Sequence, residues 1–157
     1  MKKRLCVSAC LLGVPCRWKG DSKPCEAVQR LAEDGRVEIV PFCPEMAAGL
    51  GCPRPPIELV RTDEGVRVLR VDRTGDATDA LRAACKAQAD ALARSGGVDG
   101  FVLKSRSPSC GLAAPLHDDA GRETGAAPGL WAAFARERFP GARFLDEGTL
   151  PRSGFPG

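Results

Sequence analysis

The chain has 157 residues, of which 43% are hydrophobic and 27% are charged, and this is typical of one globular domain with its own core. Its formal net charge of +3 is too small to indicate a nucleic-acid platform. No apolar run approaches the roughly 18 to 20 residues of a membrane span, and the basic amino terminus leads into a short strand rather than a signal peptide. We therefore expect a single α/β domain over residues 1–157, in the cytoplasm and without a membrane partner.

Cysteine dominates the residues that could carry chemistry. The chain has 8 cysteines, a single histidine (His117) and no tyrosine. One histidine is too few for a histidine-rich zinc site, and it leaves little scope for a Ser-His-Asp triad or a Cys-His dyad. Without a secretory signal, surplus cysteine indicates a metal, a cluster or catalysis more often than disulfides.

In the first half of the chain, apolar runs and turn residues alternate regularly. They predict a strand over 4–8, a helix over 24–33, a strand over 36–42 and a β-hairpin with strands over 57–61 and 66–71. Between the first strand and the helix lies a loop with a proline, a glycine and three cations. We expect this loop to lie over a site.

The second half begins with the longest predicted helix, 78–94, which two glycines end. A short apolar strand over 100–103 follows, then a connection over 112–128 with no clear period, a helix over 130–139 and an edge strand over 142–146. Strands that alternate with helices in this way favour a Rossmann-like, mostly parallel sheet flanked by helices, with the hairpin as an excursion.

Three cysteines, Cys10, Cys43 and Cys110, each come just after the carboxyl end of a predicted strand. A parallel sheet brings those ends to one edge, where open α/β folds bind ligands. No CxxC pair is present, so neither a zinc ribbon nor a thioredoxin motif is indicated. From spacing alone the three thiols could hold an iron-sulfur cluster with one open iron, act as catalytic or persulfide cysteines, or serve as structural zinc ligands or inert thiols.

Longer motifs surround these cysteines. They read Val-Ser-Ala-Cys10-Leu-Leu-Gly-x3-Arg17-x2-Gly20-x2-Lys23, then Cys43-Pro-Glu45 with Gly49-Leu-Gly and Pro53-Arg54-x2-Pro56, and finally Leu103-Lys-Ser-x-Ser-Pro-Ser-Cys110-Gly. Over residues 4 to 111, and more weakly to about 146, the chain resembles the thiouracil desulfurase family. The resemblance implies a Rossmann-like α/β domain, a 4Fe-4S cluster held by three cysteines, and redox-neutral removal of sulfur from thiolated uracils.

Carried over by motif, the resemblance implies that Cys10, Cys43 and Cys110 are the cluster ligands. It further implies that Glu45 and Ser107 assist the chemistry. We expect Glu45 to act as the base for an attacking water and Ser107 to donate a hydrogen bond or relay a proton. Structural alternatives exist for both: Glu45 could cap the turn after Pro44, and Ser107 could initiate the Ser-Pro turn.

The other cysteines are assigned as follows. Cys52, nine residues after Cys43, is the alternative ligand. Cys6 and Cys85 are predicted to lie in the core, and Cys16 and Cys25 are predicted to be incidental thiols.

The cations in the loops next to the cysteines suggest how a substrate is held. Arg17, Lys23, Arg54 and Lys104 occupy motif positions and could bind one phosphate. We therefore expect a free thiolated pyrimidine or its nucleotide as substrate. Intact nucleic acid is not expected, because a polynucleotide site needs several aromatic stacking surfaces and Trp18 is the only aromatic residue near these cations.

Two other classes of function are consistent with the same residues. One is a persulfide sulfurtransferase in which Cys110 or Cys52 is the nucleophile, activated by a cation such as Lys104, Arg54 or Arg106. The other is a small zinc or cluster module without enzymatic activity.

Overall fold

The structure, a computed structural model, describes residues 2–156, so the two terminal residues of the predicted domain lie outside it. In chain order its elements are β1 (Lys3–Ser8), α1 (Glu26–Glu33), β2 (Val37–Phe42), α2 (Pro44–Ala47), β3 (Ile57–Thr62), β4 (Gly65–Arg70), α3 (Thr78–Arg94), β5 (Gly100–Leu103), β6 (Ala114–His117), β7 (Glu123–Ala127), α4 (Leu130–Arg138) and β8 (Arg143–Asp146).

The first sheet has four parallel strands in the order β2-β1-β5-β8. β1 and β5 are its central strands, and both carry an unbroken apolar run of the kind that strands buried on both faces need. β2 is an edge strand and tolerates Pro41, which lacks the N–H that a central strand would need. The predicted edge strand near the carboxyl terminus is β8, and it pairs with β5.

Helices cover both faces of this parallel sheet. Leu5 and Val7 of β1 pack with Val28 and Leu31 of α1 on one face. On the other face, Cys6 belongs to a cluster that α3 and α4 complete, with members that include Phe101, Cys85, Ala89 and Trp131. Cys6 and Cys85 are fully buried core residues, as predicted. The expected parallel sheet flanked by helices is therefore confirmed.

A second sheet was not predicted. Its order is β4-β3-β6-β7, so the predicted hairpin β3–β4 is half of a four-stranded sheet and not an isolated excursion. The connection over 112–128, predicted to be irregular, supplies β6 and β7. Their sequences, Ala-Pro-Leu-His and Glu-Thr-Gly-Ala-Ala, carry too few β-branched or aromatic residues to signal a strand. Pairing with β3 decides their conformation.

Within the described chain, none of the helices combines the length and the apolar character that crossing a membrane requires. The remaining predicted helices and strands are present, with ends that differ from the prediction by at most two residues.

Candidate active site

The loops that follow β1, β2 and β5 meet at the carboxyl edge of the parallel sheet and enclose a cavity of about 360 Å³. Cys10, Cys43 and Cys110 all line it, so the structure brings the three predicted ligand cysteines together. Glu45 and Ser107 line the same cavity. These residues come from three segments that are far apart in sequence.

Cys10 lies in a 3-10 turn, Ala9–Leu12, immediately after β1. The Cys10 carbonyl accepts hydrogen bonds from the backbone N–H of Gly13 at 3.2 Å and of Lys23 at 3.0 Å. Gly13 has a φ of 94°, a left-handed conformation that glycine adopts without steric cost. The backbone of Lys23 therefore stabilises the Cys10 turn. Lys23, a predicted substrate-binding residue, is not among the residues that line the cavity.

Cys110 is held by a tight turn after β5. The Ser107 hydroxyl oxygen accepts hydrogen bonds from the backbone N–H of Ser109 at 3.1 Å and of Cys110 at 3.0 Å. The N–H of Gly111 donates to the Ser107 carbonyl at 2.8 Å. Ser107 thus has the turn-forming role that a Ser-Pro sequence favours, and its own O–H proton stays available to donate into the cavity.

The start of α4 locks this turn in place. The N–H groups of Leu130 and Trp131, which have no partner within the helix, donate to the carbonyls of Pro108 at 3.2 Å and Ser109 at 2.8 Å. Gly129 makes the approach possible, because a Cβ atom there would lie 2.6 Å from the Ser109 carbonyl group. The position of Cys110 is therefore fixed by a helix that follows it in the chain.

Cys43 stands at the N-cap of α2, and Pro44 begins that helix. Beside it lies Cys16, which is 4% exposed and lines the cavity; the Cys43 thiol contacts the Cys16 carbonyl at 3.8 Å. Cys16 was predicted to be an incidental thiol, and its place in the cavity corrects that prediction. Cys52, the predicted alternative ligand, is not part of the cavity lining: its single S–H faces two carbonyl oxygens, those of Pro15 at 3.2 Å and Arg17 at 3.3 Å.

The protein environment acts differently on the three thiols. Burial raises the pKa of Cys10 to about 11 and that of Cys110 well above its usual value. Hydrogen bonding from the Cys16 thiol lowers the pKa of Cys43. A buried thiol with a raised pKa is a poor free nucleophile, which weighs against Cys110 as an attacking persulfide cysteine.

Glu45 is fixed by two partners. Arg54 Nε donates to Glu45 Oε1 at 2.9 Å, and the Ser109 hydroxyl donates to Oε2 at 2.8 Å. The Arg54 side chain is only 3% exposed and also donates to the Gly51 carbonyl at 2.8 Å. Arg54 also lines the cavity, and its expected contact with substrate phosphate stays a prediction.

Ser109 is a further residue of the site that sequence reasoning missed. It is 1% exposed, and its hydroxyl joins Glu45 to the Cys110 turn across 64 residues of sequence. The Ser-Pro-Ser-Cys motif contained it, but nothing local separates the role of Ser109 from that of Ser107.

Two of the other predicted substrate cations, Arg17 and Lys104, are paired with acids. Arg17 lines the cavity and donates to both Asp21 carboxylate oxygens at 2.9 and 3.0 Å. Lys104 also lines it and lies 3.0 Å from Glu147 Oε2. Arg106 completes the cationic part of the lining, with 71% of its side chain exposed.

The donor set fits a sulfur-bound cluster better than a single hard ion. Four cysteines, the three predicted ligands and Cys16, line one cavity, and thiolates are the ligands that iron-sulfur clusters use. In the described range 2–156, no group of three or more His, Cys, Asp or Glu side chains is placed to hold a metal ion. The feature that favours a cluster is therefore the number of thiols in one cavity lining.

Comparison with known proteins agrees with this geometry. A solved structure described as the [4Fe-4S]-dependent thiouracil desulfidase TudS superposes with a TM-score of 0.75 at 34% sequence identity, covering 96% of this chain and 94% of that one. The uncharacterized protein YbbK of Bacillus subtilis (strain 168) is 31% identical over 110 residues, which are 67% of this chain and 71% of that protein. The sequence model of the 2-thiouracil desulfurase family matches residues 5–147, a range that contains all three strand-end cysteines, and the chain therefore belongs to this family.

Proposed function

We propose that this protein is a 4Fe-4S-dependent desulfidase that replaces the sulfur of a thiolated uracil by oxygen from water, releasing sulfide without net electron transfer. The observation that carries the proposal is that the thiols of Cys10, Cys43 and Cys110 and a carboxylate with two hydrogen-bond partners line one cavity. The similarity to a [4Fe-4S]-dependent thiouracil desulfidase supports the same assignment.

Cys10, Cys43 and Cys110 would hold the cluster, one from each of three strand ends. When bound there, the cluster would supply a soft Lewis acid suited to polarising a C=S bond. Cys16 lines the same cavity and contacts Cys43, so it is the second candidate for a ligand role, in place of Cys52. Reduced thiols are required, so we propose the cytoplasm as the compartment.

Glu45 is the proposed general base. A carboxylate has about four lone-pair positions, so Glu45 can accept a water proton while Arg54 and Ser109 each occupy one position. Arg54 fixes the orientation of the carboxylate, and Ser109 links it to the Cys110 turn. The water oxygen, freed of its proton, attacks the ring carbon that carries sulfur.

Ser107 is the proposed proton donor on the sulfur side. Its oxygen accepts two backbone hydrogen bonds, which fixes the direction in which the O–H can point. Donation from this hydroxyl stabilises negative charge that develops as the C=S bond breaks. In the overall reaction, thiouracil and water give uracil and hydrogen sulfide, so no oxidant or reductant is consumed.

Anaerobic turnover of 2-thiouracil in ¹⁸O-labelled water tests the proposal. We expect uracil and sulfide in equal amounts, one labelled oxygen in each uracil, and no need for an added reductant. Unlabelled uracil, or a strict requirement for an electron donor, would exclude hydrolysis.

Substitution of Glu45 by Gln tests the base. We expect the variant to keep its iron and sulfide content and to lose about 10²- to 10⁴-fold in kcat, the usual contribution of general-base catalysis. The matched control is Glu38→Gln, since Glu38 also pairs with an arginine, Arg4, but lies on β2 outside the cavity lining. A wild-type rate in Glu45→Gln would remove Glu45 from the chemistry.

We also propose that the protein acts on the base or its mononucleotide rather than on intact nucleic acid. Arg17, Lys104 and Arg106 supply positive charge in the cavity lining. We expect 4-thiouridine monophosphate to exceed the nucleoside in kcat/KM, and Arg17→Ala to narrow that gap. Faster processing of thiolated tRNA than of the mononucleotide at equal concentration would contradict the assignment.

A further inference from the structure

Trp18 is an exposed tryptophan next to a polar cavity. Its relative exposure is 38%, whereas Trp131 in the core is 1% exposed. The aromatic residues that line the cavity, among those described, are Trp18 and Phe42. Phe42 is 9% exposed and packs edge-to-face on Trp131 with ring centroids 4.9 Å apart, so it belongs to the core. Trp18 is thus the aromatic residue of the lining with a free surface.

The backbone around Trp18 is held in place from several sides. Its carbonyl accepts a hydrogen bond from the Arg54 N–H at 2.9 Å. The Arg17 N–H donates to the Asp21 carbonyl at 3.1 Å, and the Gly20 N–H donates to the Arg17 carbonyl at 2.8 Å. Gly20 has a φ of 83°, which permits this tight turn. The indole is therefore presented by an ordered loop, so binding to it costs little conformational entropy.

The charge beside the indole is also informative. The Lys19 ammonium lies over the indole ring, 5.1 Å from its centroid, and Lys19 is not among the residues that line the cavity. A cation on one face of an indole is a favourable arrangement and leaves the opposite face for another group. Trp18 itself belongs to the lining, so a flat ring in the cavity can reach it.

Resting on the function proposed above, we infer that Trp18 is a substrate-binding residue whose indole stacks on the pyrimidine ring. Stacking does not depend on the position of the sulfur, so Trp18 selects for a planar heteroaromatic ring while the polar groups of the cavity act on its substituents. Aliphatic thioamides lack the ring face and should be poor substrates.

The test compares Trp18→Leu, which keeps apolar bulk without an aromatic face, with Trp18→Phe, which keeps a smaller face. The probes are 2-thiouracil for turnover and uracil for calorimetric binding to the iron-loaded protein. We expect Trp18→Leu to raise the KM for 2-thiouracil and the Kd for uracil roughly 10- to 100-fold, with kcat changed less than about threefold. Trp18→Phe should recover most of the affinity.

Val14→Ala is the matched control, because Val14 is an exposed apolar residue of the same loop that is not part of the cavity lining. Equal iron content in all variants shows that the loop change has not damaged the cluster site. An unchanged KM and Kd in Trp18→Leu, or equal damage in Trp18→Phe and Trp18→Leu, would overturn the stacking inference. The proposed function is tested separately, by sulfide release from 2-thiouracil in the wild type.

Discussion

Replacing Arg54 by methionine removes the positive partner of a buried carboxylate. In the structure the Arg54 side chain is 3% exposed and that of Glu45 is 13% exposed, and their charged atoms lie 2.9 Å apart. Methionine has a similar length and fills most of the same space, so the change removes charge and hydrogen bonds more than packing. The Gly51 carbonyl loses its 2.8 Å donor at the same time.

The expected loss of stability follows from the burial of both groups. Removing one partner of a buried ion pair costs about 3–5 kcal/mol, because the remaining charge is left without compensation. In a domain of this size each kcal/mol shifts Tm by about 2–4 °C, so we expect Tm to fall by roughly 6–20 °C. The double variant Glu45→Gln/Arg54→Met carries no unpaired charge and should recover most of that loss.

Thermal unfolding of the iron-loaded proteins under anaerobic conditions, at one scan rate and equal iron content, measures these shifts. The control is Arg30→Met, which breaks an exposed ion pair between Arg30 and Glu26 on α1, with side-chain exposures of 51% and 82%. That pair should contribute at most about 0.5 kcal/mol. Two results would contradict this reasoning. Arg54→Met could lower Tm by no more than Arg30→Met does, or the double variant could lower Tm by the sum of the two single decreases. Either result would show that the Arg54–Glu45 pair does not contribute the expected stability.

Two further predictions concern the cluster site. Alanine at any one of the three proposed ligands should abolish a stable 4Fe-4S cluster, as measured by iron and acid-labile sulfide, whereas Cys52→Ala should keep it. The three proposed ligands are Cys10, Cys43 and Cys110. Full loading in one of these three variants, together with loss in Cys16→Ala, would transfer a ligand role to Cys16. Gly129→Ala should lower both Tm and cluster content, because its Cβ would lie 2.6 Å from the Ser109 carbonyl group and push the Cys110 turn away from α4. Normal loading in Gly129→Ala would show that the turn can move without cost.

The part of the site that the sequence predicts is the part that depends on local patterns. Short apolar runs ended by turn residues mark strand ends, and parallel strands place their carboxyl ends at one edge. These two rules are enough to group Cys10, Cys43 and Cys110. The family motifs then indicate what such a group of thiols binds.

Contacts between distant segments decide the rest. Cys16 and Cys52 both lie in proline-containing loops, and only the folded chain shows Cys16 in the cavity and Cys52 outside its lining. Nothing in the sequence distinguishes a solvated arginine from one that is 3% exposed, so the ion pair between Arg54 and Glu45 could not be predicted from the motif.

The second sheet has the same explanation. β6 and β7 have weak strand propensity, and they form because a distant strand, β3, offers hydrogen-bond partners to β6, with Leu59 beside Leu116 in parallel register. Local propensity acts within a few residues, whereas burial, ion pairing and sheet formation depend on which segments meet. The sequence alone determined that Cys10, Cys43 and Cys110 lie at one edge of the parallel sheet. Contacts between distant segments determined which charged groups and hydroxyls surround them.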